Sequence, residues 1–222
     1  MKLVIGNKNY SSWSLRPWVL LRHLEIPFEE ELVKFNVPAE FRARVTKYSP
    51  AGKVPILIDE DVTIWDSLAI VEYVAEKFPD KHVWPAGRAA RAVARSACAE
   101  MHAGFATLRS TMPMNFQTRF DKILVNTRVR REAARLIDIW RDCRERFGAG
   151  GPFLFGRFSA ADAYFAPVTQ RFVGYGYDLP AVAREYCQTI LALPAMREWI
   201  AAAQAETDFY PEDEPYRDSP AG

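Results

Sequence analysis

Apolar positions change their period near residue 79. Before it, short apolar runs alternate with helical patterns. Lys2–Gly6 reads as a strand, and Ser14–Leu24 reads as a helix with Leu15, Trp18, Val19 and Arg22 at helical spacing. Pro17 falls in that helix's first turn, where the missing N–H costs least. Phe28–Phe35 predicts a second strand and Ala39–Tyr48 a short helix, ended by the breaker Ser49-Pro50-Ala51-Gly52. Val54–Ile58 and Val62–Trp65 flank Asp59-Glu60-Asp61, the pattern of a β-hairpin. Asp66 is a good N-cap for a third helix, whose Val71, Val74, Ala75 and Phe78 make one face that must pack on a sheet. The order is β-α-β-α-β-β-α.

After residue 79 the strand signals largely disappear. Residues 80–87 lie in a Pro- and Gly-containing stretch that suits a linker, and 88–206 read as helical throughout. Arg88–Met112 predicts one long helix. Asp121–Phe147 predicts a second, with an apolar stripe through Leu124, Leu136, Ile139, Trp140, Cys143 and Phe147. Gly148-Ala149-Gly150-Gly151-Pro152 stops it, and Ser159-Ala160-Ala161-Asp162 opens another helix as a capping box. Shorter helices are expected near 181–192 and 195–205. The polar tail 207–222 is expected to be extended or partly disordered. The fold class is therefore α/β followed by all-α.

Composition excludes several classes. The hydrophobic share of 49% and charged share of 26% are those of an ordinary globular protein, and no apolar window is long enough for a membrane span. The segment 1–10 has no leader-like apolar stretch, so a cytoplasmic location and no membrane partner are expected. The three cysteines, Cys98, Cys143 and Cys187, show no zinc or redox-pair spacing, and the three histidines lie far apart, so no metal is expected. Basic residues concentrate between 79 and 206. Along 121–147 their signs alternate with acidic ones at helical spacing, as in Arg128/Glu132, Arg141/Glu145 and Asp142/Arg146, which is a solvated face rather than a nucleic-acid surface.

Four short motifs sit at the turns. They are Tyr10-Ser11-Ser12-Trp13-Ser14-Leu15-Arg16, Gly52-Lys53-Val54-Pro55, Trp65-Asp66-Ser67-Leu68-Ala69-Ile70 and Ser159-Ala160-Ala161-Asp162. In this order and spacing the chain resembles, over nearly its whole length, the cytosolic glutathione transferase family. The paired serines five and four residues before Arg16 are similar to its zeta-like class, although Trp13 and Pro17 stand where that class usually has cysteine and valine. The resemblance implies a thioredoxin-like, glutathione-binding domain at 1–79 and a C-terminal helical bundle that shapes the second-substrate pocket. It also implies a homodimer, with glutathione as co-substrate and an electrophilic small molecule as its partner.

The chemistry explains the serines. A thiol with a pKa of about 8.5 is mostly protonated at neutral pH, and lowering it by two units takes about 3 kcal/mol of preferential thiolate stabilisation. A hydroxyl donor at a helix N-terminus supplies part of that, because dipole and hydrogen bond both favour the anion. Ser11 is the expected donor, Ser12 the second candidate and Ser14 the expected cap, although any of them could simply cap the helix. The resemblance implies a cis Val54-Pro55 bond and pairing of Val54's backbone with the cysteinyl unit of glutathione; an edge-strand proline without a ligand is the alternative. It assigns Asp66 and Ser67 to the γ-glutamyl end, where capping alone is again possible. Lys53 is either a solvated turn residue or a partner of the glycyl carboxylate, and Trp13 walls the site. Met101, Phe105, Arg109, Met112, Met114 and Phe116 are second-substrate candidates that helical spacing equally places in a core. Conjugation to an electrophilic carbon is the leading reaction. Glutathione-dependent cis-trans isomerisation, as in maleylacetoacetate isomerase-like enzymes, and a non-catalytic glutathione-binding module are the alternatives.

Overall fold

The computed structural model describes residues 1–35, 37–120, 123 and 125–217; Leu124 of the predicted stripe, the predicted helix start at Asp121 and the tail's last five residues lie outside them. Strands β1 (Lys2–Ile5), β2 (Glu29–Leu32), β3 (Ile56–Asp59) and β4 (Val62–Trp65) form one sheet in the order β2-β1-β3-β4. β1 runs parallel to β2 and antiparallel to β3, which pairs antiparallel with β4. The strand period of two divides β1 between two faces. Leu3 and Ile5 join the main core with helices α1 (Ser12–His23) and α3 (Ser67–Lys77), while Val4 joins a smaller cluster with Val33, Val45 and Ile56 beside α2 (Pro38–Val45). This is the β-α-β-α-β-β-α order expected from the pattern, in the thioredoxin-like arrangement that the resemblance implies.

The second half is helical. Its elements are α4 (Arg88–Ala103), α5 (Ala106–Thr111), α6 (Thr127–Phe147), α7 (Ala160–Gly174), α8 (Ala181–Leu191) and α9 (Pro194–Ala205). The single helix predicted over Arg88–Met112 is two helices. Any side chain at Gly104 would meet the Glu100 carbonyl at 2.8 Å, and Phe105 turns into the left-handed region at φ 59° before α5 begins. Among the described residues no helix is long and apolar enough to cross a membrane.

The two halves share a continuous core. α1 packs on both α3 and α7, and Trp18 of α1 meets Trp199 of α9 edge to face at 5.1 Å. The predicted linker is not loose: Val83 and Trp84 are buried, and the Val83 carbonyl accepts from the first N–H of α7 at 2.8 Å. The described part of the tail, locally extended at Glu206 and Tyr210, is packed on the body of the protein. Residues 206–217 fold back against the loop after β1, with Glu214 buried and bonded to Tyr10 and Asn115. A polar tail packs here because its buried Glu214 carboxylate meets donors from Tyr10, Asn115 and Arg217.

Candidate active site

The loop between β1 and α1 carries the serines, and the helical half holds it in place. Glu206 accepts from the Lys8 and Asn9 N–H groups at 2.7 and 3.1 Å, Trp199 Nε1 donates to the Lys8 carbonyl at 2.9 Å, and the Phe116 N–H donates to Asn9 Oδ1 at 2.7 Å. Removing the Glu206 carboxylate orphans two loop N–H groups. Glu206→Ala is therefore expected to cost about 2 kcal/mol, read as a lower denaturation midpoint at unchanged slope.

Ser11, not Ser14, is the N-cap of α1. Its hydroxyl accepts from the Ser14 N–H at 3.4 Å and lies 2.7 Å from Ser14 Oγ, to which it donates. Ser14 is wholly buried and accepts also from the Gly6 N–H at 3.1 Å, tying helix to strand. Ser12 differs: its Oγ accepts from Arg171 Nη2 at 3.2 Å, and among the described residues no hydrogen bond engages its own proton. No acidic side chain lies in the first turn of α1, so nothing there opposes an anion. Tyr10 points its hydroxyl away, onto the Asp208 carbonyl and the Glu214 carboxylate, and burial pushes its pKa up to about 12.

Across the cleft, the Val54-Pro55 bond is cis and the β3 ladder begins two residues later at Ile56. Asp66 caps α3, accepting from the Leu68 N–H at 2.8 Å, while its other oxygen lies 3.3 Å from His102 Nε2. Ser67 is buried and bonded to the Tyr164 hydroxyl at 2.9 Å. His102 in turn meets Trp13 edge to face at 5.1 Å.

These groups line two adjoining hollows. One, of about 420 Å³, is bounded by Ser11, Ser12, Phe35, Phe41, Arg109, Met114, Arg171 and Asp213, among others. The other, of about 480 Å³, is bounded by Pro55, Trp65, Asp66, Ser67 and His102. Trp13, Lys53 and Val54 border both, so they form one cleft with a serine lobe and a proline lobe.

A family model described as "Glutathione S-transferase, N-terminal domain" matches residues 10–77, and one described as "Glutathione S-transferase, C-terminal domain" matches 125–202. The chain belongs to the glutathione S-transferase family. Among its relatives, a dichloromethane dehalogenase of Methylorubrum extorquens is 44% identical over 62 residues, 28% of this chain and 22% of that one. Glutathione S-transferase 1 of Dianthus caryophyllus is 28% identical over 116 residues, 52% of each chain. The matched segments thus span about a fifth and about half of those proteins. A Burkholderia glutathione transferase homologue solved with bound glutathione shares the fold, with a TM-score of 0.70 at 22% identity over 92% of this chain and 98% of that one.

Of the second-substrate candidates, Arg109 and Met114 line the cleft of this transferase-family chain. Met101, Phe105, Met112 and Phe116 are packed in the hydrophobic core and line neither lobe, because helical spacing alone does not say which side of α4 and its loop faces solvent. Sequence reasoning missed Arg171, His102 and Asp213. None sits in a motif, and each reaches the cleft only through tertiary packing.

Proposed function

We propose that the cleft binds glutathione with its cysteinyl backbone along Val54 and its γ-glutamyl end at Asp66 and Ser67, and activates its thiol as a thiolate for attack on an electrophilic carbon. The observation that carries this reading is the convergence of two helix N-termini, those of α1 and α3, and the Val54-Pro55 turn on one cleft. Ser12 is the donor to sulfur and Ser11 the cap that places it. Arg171 orients the Ser12 oxygen and leaves the hydroxyl proton for the ligand. This reverses the order expected from the motif, because Ser11's proton is spent on Ser14. In conjugation the thiol proton leaves to solvent, the sulfur pair forms the carbon–sulfur bond, and the electrophile's leaving group departs with the electrons of the bond that breaks.

The test is a glutathione-saturated screen with aryl halides, haloalkanes, epoxides, enones, hydroperoxides and cis-dicarboxylic substrates. Turnover with any of them supports an enzyme; an added product mass of one glutathione separates conjugation from isomerisation. Tight glutathione binding with no turnover across the panel would instead favour a non-catalytic binding module. Asp66 has its own readout. Asp66→Asn keeps the cap but removes the charge facing the glutathione ammonium, so KM for glutathione should rise about tenfold with kcat within twofold. A homodimer, checked by sedimentation velocity, and a cytoplasmic location belong to the same reading.

A further inference from the structure

Two guanidinium groups, those of Arg109 and Arg171, line the serine lobe and a third, that of Arg16, is buried behind its Trp13 wall; among the described residues none of the three forms an ion pair. Arg16 is 1% exposed and held between the rings of Trp13 and Tyr164, 4.1 and 4.7 Å from their centroids, with Nε and Nη1 unpartnered. Arg109 lies 5.1 Å over the Trp13 ring with Nη1 unpartnered. Arg171 is 5% exposed. It spends its donors on neutral oxygens, the carbonyls of Arg109 and Met112 and the Ser12 hydroxyl, and its Nε has no partner.

The surface arginines behave differently. Arg95 and Arg135 each form a two-pronged pair with a glutamate. A buried cation without a counter-ion is costly, and three together repel one another. Burial, with that mutual repulsion, lowers Arg16 and Arg171 to about 10, which leaves both charged at neutral pH. The lobe's lining carries Lys53, Arg109 and Arg171 against a single carboxyl, Asp213. Asp213 comes from the folded-back tail, and burial pushes it up to about 6 against the pull of Arg171. The protein has thus placed one of its own carboxyl groups in a lobe that is otherwise positive. The rest of the lining, including Trp13, Phe41 and Met114, suits a flat apolar body.

We propose that the serine lobe takes an anionic second substrate, an aromatic or otherwise flat electrophile carrying a carboxylate that Arg109 and Arg171 anchor. This deepens the proposed function and rests on it for the reaction. The binding preference stands apart from turnover. Planar guanidinium groups favour a carboxylate over an isosteric neutral group by hydrogen bonds as well as charge. Glutathione also carries carboxylates, so the source of the anion must be separated.

The probe pair is 4-chloro-3-nitrobenzoate and 4-chloro-3-nitrobenzamide, which share ring and leaving group and differ in charge. Equilibrium dialysis against the full chain, saturated with S-methylglutathione so that no reaction runs, should show the benzoate bound at least tenfold more tightly. Arg109→Gln should cut benzoate affinity about tenfold while leaving the benzamide, and glutathione itself, within twofold. Arg171→Lys, which keeps the charge and loses the fork, should also narrow the preference. If that variant fails to fold, Arg109→Gln still decides. Equal affinity for the two probes overturns the proposal, as does a loss in Arg109→Gln confined to glutathione, since the guanidiniums would then read the co-substrate. Absence of turnover with either probe would count against the activity and leave the binding result standing.

Discussion

Ser12→Ala is expected to lower glutathione-dependent turnover about a hundredfold, with KM for glutathione changed less than threefold. Removing one preorganised donor to a developing or stabilised anion costs about 10²–10³ in kcat in comparable sites. In the proposed function the Ser12 hydroxyl is such a donor: its oxygen is held by Arg171 Nη2 at 3.2 Å, so no reorganisation would be needed when sulfur arrives. The thiol's apparent pKa in the binary complex, read by thiolate absorbance, should rise toward the free value of about 8.5. Ser11→Ala separates the two roles. It loses an N-cap, which costs about 1 kcal/mol of stability, and it also removes the hydroxyl bonded to Ser14. Its turnover should fall less than that of Ser12→Ala. The opposite ranking would return the sulfur to Ser11, as the motif alone suggested, and equal rates in both variants and wild type would remove the hydroxyls from the chemistry.

Most of this architecture was legible in the chain because its signals are local. Strand alternation, the Ser49–Gly52 breaker, the Asp66 cap and the Gly148–Pro152 stop each depend on residues adjacent in sequence, and the sheet and α3 follow from them. Where boundaries shifted, a backbone requirement decided. β3 begins at Ile56 rather than Val54 because a proline has no N–H to give the ladder, and α4 breaks at Gly104 because the chain reverses there through a left-handed Phe105. The cleft was half legible. Ser11, Ser12, Lys53, Val54, Pro55, Asp66 and Ser67 sit at turns the pattern locates, and all line it. Arg171 and Asp213 reach it from α7 and the tail, over a sequence separation that no periodicity encodes. Met101, Met112 and Phe116 show the converse, since an apolar residue at helical spacing is equally fit for a core and a pocket wall.

Asp162→Ala should be strongly destabilising, lowering the melting temperature by about 10–15 °C. Its carboxylate is fully buried and accepts four hydrogen bonds, from the Leu154 N–H at 3.1 Å, the Ser159 N–H at 2.9 Å, the Ser159 hydroxyl at 3.2 Å and the Tyr186 hydroxyl at 3.1 Å. Those donors join the loop after α6, the start of α7 and the middle of α8. Alanine would strand them all, at about 1–3 kcal/mol each before relaxation, and about 4 kcal/mol is a reasonable net loss. In a chain of this length each kcal/mol shifts the melting point by about 2–4 °C. The pH dependence gives a second, sharper check through Asp162→Asn, which keeps the shape. Burial raises the folded-state pKa from 3.8 to about 6, against the pull of the four donors. The folded protein therefore holds this proton more tightly than the unfolded chain, and the associated stability is fully present below about pH 4 and lost as pH rises through about 6. Asparagine cannot titrate. The stability deficit of Asp162→Asn relative to wild type should thus narrow between pH 4 and pH 6.5 and stay constant above, as followed by calorimetry. A deficit that widens over that range would mean that the four donors outweigh burial and that Asp162 is folded as a low-pKa carboxylate.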